Sequence, residues 1–366
     1  MLELIKSTQF FVREIIMSNQ TEDRILNLYP IDYPFETLVS RINAIPTKLK
    51  LDPNFQRKYK WDKDGWGRSS KFIESCLMRI PLPSCYFAET EDGSHLVIDG
   101  VQRLTTINKF LNDEFCLEGM TTYRELNGKK FSELGNLQSE LETTTIRCIV
   151  LRKDNPKKLI REIFSRLNQG AVKLSDQEIR HAIYPGTLDS LLKELAEDPE
   201  IARFGLSENS KKIKDSLEPE EQVLRYFAIS EDQRLTGLTG SLKEFLDNFM
   251  ENNANIDEAK VNDFRSRFKR ALENCKKVFG DEAFVNPVAQ KKKKGLVHYD
   301  LVMTTVGELP QEVIQKYGEE LKKAYRDLCE SDEFKRTLGG GLQDKSRVLQ
   351  RRMKWNELLE AVTNAG

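Results

Sequence analysis

The chain has no run of apolar residues near the length of about 18 needed to cross a bilayer, and it has almost no histidine. His95, His181 and His298 are the only three, far apart in sequence. Zinc sites and HNH-type nuclease centres need His, Cys or carboxylates clustered at ligand spacing. No such cluster is visible, so a histidine-based metal site is not expected. The six cysteines, Cys76, Cys85, Cys116, Cys148, Cys275 and Cys329, include no CxxC pair. The apolar start MLELIKSTQFFVREII is broken by Glu3, Lys6, Arg13 and Glu14, which interrupts any signal-peptide core. The cysteines therefore read as reduced thiols, and the protein as cytoplasmic with no membrane partner. An excess of charge of either sign is missing too: 57 Lys and Arg face 58 Asp and Glu, a formal net charge of -1. Global charge gives no attraction to nucleic acid or membrane, and any such site must be a local patch.

What is present is 366 residues, 39% hydrophobic and 31% charged, enough for two domains and a sizeable core. Residues 1–16 read either as a start-site extension ahead of Met17 or as a short amphipathic helix. Tyr33 to Ile42 has helix spacing through Phe35, Leu38, Val39 and Ile42, and Pro46 ends it. Lys48 to Leu51 alternates like a strand edge. Leu51 to Trp61, LDPNFQRKYKW, is dense in basic and aromatic residues without a period, as in a loop beside a ligand. A helix follows from about Ser69, with Phe72, Ile73, Cys76, Leu77 and Ile80 inward, stopped by Pro81 and Pro83. Cys85 to Thr90 is a strand, joined as a hairpin through Asp92-Gly93 to a strand at His95 to Ile98. Thr144 to Leu151 is a further strand. Beyond Asn155-Pro156 nearly every segment is helical: Leu159 to Leu167, a helix opened by Ser175 and Glu178 in a capping-box pattern, and others near 187–196, 218–230, 240–252, 258–279, 296–307, 311–329 and 344–363. In the last of these Val348, Leu349, Met353, Leu358, Leu359 and Val362 are expected to face inward. Lys291 to Lys294 reads as a solvated loop. Strands before about residue 152 and helices after it predict an α+β domain over 33–155, behind an extension of 1–32, and an all-helical C-terminal domain over 156–366.

His95 to Leu111, HLVIDGVQRLTTINKFL, reads as a strand, a tight turn at Asp99-Gly100 and a helix from Val101. Leu104, Ile107 and Leu111 form its inner face. Free backbone N–H groups at a helix start bind anions well, and Arg103 in the first turn adds a planar, permanently charged fork suited to phosphate. The plainer alternative is a strand-to-helix connection with a surface arginine.

Several stretches in a fixed order resemble the GmrS-type N-terminal domain family of GmrSD restriction systems. That family, once described only as a domain of unknown function, is marked by a DGQQR motif and placed in the ParB/sulfiredoxin-like superfamily. The matching pieces are Phe55-Gln56-Arg57 with Tyr59 and Trp61, Phe72-Ile73-Glu74-Ser75 before Ile80-Pro81, and Asp99-Gly100-Val101-Gln102-Arg103-Leu104-Thr105-Thr106. Ile163-Phe164-Ser165-Arg166-Leu167-Asn168 with Gly170, Leu174 to Arg180 and Glu221 to Ala228 follow. One departure is Val101, where the family has Gln. Sulfiredoxins use a Cys in the corresponding loop; none lies between Cys85 and Cys116 here, so sulfinic-acid reduction is not expected.

The resemblance implies a ParB/sulfiredoxin-like fold, binding of a nucleoside triphosphate with Mg²⁺, and often its hydrolysis, in systems that restrict phage or modified foreign DNA. Relatives often carry an HNH nuclease domain or work with a separate nuclease chain. Asp99, Gln102 and Arg103 are the expected catalytic residues. Gln56, Arg57, Gly100, Arg103, Thr105, Arg166 and Asn168 are expected on the phosphate or nucleotide, with Arg166 and Asn168 reaching it from the second domain. Asp99 is the candidate Mg²⁺ ligand or, alternatively, a helix cap. Tyr59 and Trp61 would stack on a base or contact DNA; core packing of Trp61 is the alternative. Glu178 and Arg180 read as a structural ion pair. Two other functions stay open: a non-catalytic DNA-binding or protein-interaction module, and a ParB-like DNA nickase.

Overall fold

The computed structural model describes residues 26–51, 61–62, 65–167, 175–202, 204, 217–290 and 293–364. Residues 1–16, Gln56, Arg57, Tyr59 and Asn168 lie outside them. The chain divides into two compact units between Leu174 and Ser175.

The first unit runs β1 (Leu28–Pro34), α1 (Phe35–Asn43), β2 (Leu49–Lys50), α2 (Gly67–Leu77), β3 (Cys85–Glu89), β4 (His95–Asp99), α3 (Val101–Leu111), α4 (Leu137–Thr143), β5 (Thr145–Leu151) and α5 (Lys157–Leu167). The strands form one mixed sheet in the order β1-β5-β3-β4-β2. β1 pairs antiparallel with β5, from Leu28 opposite Leu151 to Pro34 opposite Thr145. β5 and β3 are parallel, with Cys85 in register with Cys148. β3 and β4 form the expected hairpin, and β2 joins β4 in parallel. β1 has no counterpart among the strands expected from the sequence. Its LYPIDYP holds two prolines, which cannot donate to a ladder, and a sheet edge tolerates them.

The apolar face of α3 (Leu104, Ile107, Phe110) meets Phe35 and Leu38 of α1, Ile73 and Cys76 of α2, Phe87, Val97, Ile146 and Val150 in one buried cluster. A polar clamp ties the following loop to this core. Glu74 of α2 is 5% exposed, and its carboxylate accepts backbone N–H bonds from Thr121 at 2.8 Å, Thr122 at 2.6 Å and Tyr123 at 3.1 Å. Burial alone would raise the pKa of Glu74, but the three N–H groups and the Thr121 hydroxyl favour the carboxylate and hold it below the usual value.

The second unit is helical: α6 (Asp176–Ile183), α7 (Thr187–Ala196), α8 (Pro199–Ala202), α9 (Glu218–Glu231), α10 (Leu242–Asn253), α11 (Glu258–Phe279), α12 (Leu296–Met303), α13 (Gln311–Glu330), α14 (Asp332–Thr337) and α15 (Lys345–Asn364). α8 and α14 are too short to leave a period in the sequence. The start of α6 is the expected capping box: Ser175 Oγ accepts from Glu178 N–H, and Glu178 accepts from Ser175 N–H. Arg180 is buried, its Nε 2.7 Å from Asp247 and Nη1 3.0 Å from Glu221. Both motif residues serve the fold here.

The inner face of α15 differs from expectation. Its buried residues are Arg351, Arg352, Trp355 and Leu359, whereas Met353 is 57% exposed. Trp355 fixes this rotation, because its indole N–H donates to Thr305 Oγ1 at 2.8 Å inside the core.

Candidate functional site

β4 ends at Asp99, and α3 begins two residues later. Gly100 makes the connection with φ 104° and ψ 5°, in the left-handed region, where a side chain is strained. A Cβ at this position would also collide with the Cys85 sulfur of the neighbouring strand. The glycine thus serves two needs at once, a reversed backbone and a close approach to β3. Gly100, the N-cap of α3, has no side chain to cap the helix; the first intrahelical bond runs from Leu104 N–H to Gly100 O at 2.9 Å. A helix start behind a glycine suits an anion.

Arg103 lies beside this turn. Its Nη2 donates to Asp99 Oδ2 at 2.8 Å and to Ser84 O at 3.2 Å, and its Nη1 donates to Pro83 O. The Arg103 side chain is 13% exposed and that of Asp99 44%. Asp99 does not cap α3; it pairs with Arg103 one turn along. The arginine therefore straps the turn to the Pro83-Ser84 segment and brings a positive charge to the helix start. Val101 points into the core cluster, 8% exposed. At the position where this chain departs from the DGQQR pattern, the side chain faces the interior. Gln102 and Thr105 are half-buried on α3.

Beneath the turn lies a thiol pair. Cys85 and Cys148 are both buried. The neighbouring Cys148 thiol, whose Sγ donates to Ile146 O at 3.6 Å, holds the Cys85 pKa below the ordinary thiol value; burial opposes this, and Arg103 adds to it. Cys148 is pushed up in turn, first by Cys85 and then by burial. At the other end of β4, His95 is buried with Arg41 Nη2 3.3 Å from its Nδ1. Burial and then the Arg41 charge lower its pKa, so the neutral ring is favoured.

The other expected residues are placed as follows. Trp61 is half-buried and meets Phe72 edge-on, ring centroids 5.8 Å apart. Arg166 is exposed on α5 and ion-paired with Glu162 one turn earlier. α5 precedes the division at Leu174, so Arg166 is carried by the first unit and not by the second. Among the described residues, Asp99, Gly100 and Arg103 are brought together with contacts between them; Arg166 makes its ion pair on its own helix. Sequence reasoning missed the Pro83 and Ser84 carbonyls and the Cys85 sulfur. The Pro81-x-Pro83 pattern after a helix was the available signal, but it marks only a helix stop.

Residues 35–185 match the family model described as GmrSD restriction endonuclease, N-terminal domain. That stretch is similar to a GmrSD-type N-terminal domain. The match begins at α1 and runs just past α6, so it takes in the whole Asp99–Arg103 turn. No curated protein and no solved structure matches the chain. Among the described residues no three of His, Cys, Asp and Glu gather as a metal-binding group, and no helix is long and apolar enough to cross a membrane. Among the described residues Asp99 is the carboxylate at the turn. Its Oδ2 is engaged by Arg103. One carboxylate beside phosphate oxygens is a common Mg²⁺ arrangement, because this ion keeps several waters.

Proposed function

We propose that this chain is a nucleotide-binding component of a DNA-restriction or phage-defence system, with a ParB/sulfiredoxin-like N-terminal domain that hydrolyses a nucleoside triphosphate weakly with Mg²⁺. The match to the GmrSD N-terminal domain supports the setting. The observation that carries the chemistry is the start of α3 behind a left-handed Gly100 with the Arg103 guanidinium beside it. A phosphate there would accept from backbone N–H groups and gain the Arg103 charge. The Asp99 carboxylate would hold Mg²⁺ against the same phosphate, and Gln102 would orient water. Thr105 lies one turn along the same helix.

Binding of ATP, GTP, CTP and UTP to the full chain and to Arg103→Ala tests the reading. A charge-assisted bond to phosphate contributes about 1.5–3 kcal/mol, so the variant binds roughly ten- to hundredfold more weakly. Failure of the wild type to bind any of them, or equal binding by both proteins, defeats the assignment.

A second reading, binding without turnover, is favoured by the Asp99–Arg103 pair, which already engages the arginine and one carboxylate oxygen. It predicts nucleotide affinity with no released phosphate. It also predicts that any DNA affinity falls steeply with salt. A plasmid-nicking assay with and without Mg²⁺ separates both readings from direct DNA cleavage.

A further inference from the structure

The second unit gathers Arg225, Arg351 and Arg352 around Asp300, with Arg347 beside Arg351. Arg225 of α9 and Arg351 and Arg352 of α15 are 3%, 5% and 6% exposed. Arg347 lies one turn before Arg351 on the same helix. The carboxylate among them is Asp300 of α12, and Arg225 takes both of its oxygens, Nε at 2.9 Å and Nη2 on the other. Glu221 also acts on Arg225, but it is held by Arg180 at 3.0 Å. Arg351 donates to backbone only, to Thr337 O at 3.0 Å and Leu342 O at 2.5 Å, and Arg352 donates to the Thr304 hydroxyl. His298 also lies within reach of the Arg351 charge. Among the described residues no carboxylate stands at ion-pair distance from Arg347, Arg351 or Arg352.

Arg347 is the unsatisfied member. Its Nη1 is sealed from solvent and has no hydrogen-bond partner. That nitrogen lies 3.4 Å from where a Cβ on Gly339 would stand. The loop against it is Leu338-Gly339-Gly340-Gly341-Leu342-Gln343-Asp344. Among the described residues no hydrogen bond uses the N–H groups of Gly339, Gly340 or Gly341. The Asp344 carboxylate sits on Gly341 at the far end of the loop. A sealed guanidinium nitrogen without an acceptor is costly, and successive free N–H groups form anion-binding concavities.

We propose that Arg347, backed by Arg351, and the loop Gly339–Gly341 bind a phosphate group carried by a nucleotide or by a nucleic-acid backbone. Phosphate brings negative charge and accepts several donors at once. Its oxygens match the two-pronged guanidinium, and glycines let the backbone close on it without side chains in the way. The site is independent of the Asp99–Arg103 turn, so either can fail without the other.

The test uses the full chain carrying Arg103→Ala, which removes the contribution of the first unit. Inorganic phosphate is titrated at constant ionic strength against chloride while thermal unfolding is followed. The expected result is a rise in the midpoint of about 3 °C at saturating phosphate, of which Arg347→Ala in the same background loses more than half and Arg347→Lys keeps part. Arg347 Nη1 has no hydrogen-bond partner to lose, and a control melt without phosphate checks that the variant keeps its fold. ATP and a short DNA duplex are then titrated in the same way. A shift from ATP alone identifies a mononucleotide as the source, and one from the duplex a polynucleotide backbone. No phosphate shift, or a shift unchanged by Arg347→Ala, overturns the proposal.

Discussion

Gly100 is the residue on which the candidate turn depends. Its φ of 104° and its contact with the Cys85 sulfur leave no room for a methyl group. Gly100→Ala is expected to lose about 1–3 kcal/mol of stability, the cost of a non-glycine residue in a sparsely populated backbone region. Nucleotide binding should fall with it. Denaturant titration checks the first and calorimetry the second. Adding Cys85→Ala relieves the collision and not the backbone strain, so it returns only part of the loss. The strand, Asp99-Gly100 turn and helix were legible from Leu96 to Leu111 because an apolar run, a glycine and a 3.6-residue period follow one another there. The partners of Arg103 were not: Pro83 and Ser84 lie about twenty residues upstream, and only folding of the hairpin brings their carbonyls to the guanidinium.

Among elements, α2 and α15 show how polar side chains on inward faces escape a pattern of apolar spacing. Glu74 sits among Ile73, Cys76 and Leu77 on the buried side of α2 because the loop over 121–123 supplies it with N–H donors. Glu74→Gln keeps the shape and loses the charge. It is expected to cost about 1–3 kcal/mol, since a neutral amide must also bury its own donors, and Glu74→Ala more. Chemical denaturation measures both, and a change under 0.5 kcal/mol for either would show that the clamp does not hold the loop. On α15 the same blindness placed Met353 inward and left out Arg351 and Arg352, because charged residues are by default assigned to solvent. The capping boxes at Ser175 and Ser241, by contrast, belong to short local patterns, and the first was readable directly.

At the scale of the molecule, strands before Leu151 and helices after it were visible in the sequence, and the mixed sheet with a helical C-terminal region follows that order. The exact division at Leu174 was not, since α5 has the same helical period as what comes after it. Acid sensitivity is expected to come in part from His298. Burial, with the Arg351 charge second, pushes its pKa down to about 4, against about 6.5 in an unfolded chain. The folded state thus prefers the neutral ring, whose Nδ1 lies 2.6 Å from the Tyr325 hydroxyl. That preference is fully present above pH about 6.5 and is lost as the pH falls toward 4, a change of about 3 kcal/mol. His298→Gln should flatten the stability curve between those limits, as followed by urea unfolding at each pH.

The packing of Gly100 on Cys85 has a practical consequence for following the turn in time. Cys85 is fully buried, and Cys116 is exposed. A thiol reagent reaches Cys85 only when β3 and the turn above it part, so its labelling rate counts openings of the turn while Cys116 clocks the reagent. With site-resolved mass spectrometry, a nucleotide seated on Gly100 is expected to slow the Cys85 reaction and leave the Cys116 reaction unchanged. The sulfur packed against Gly100 is thereby a built-in reporter of whether the turn is occupied.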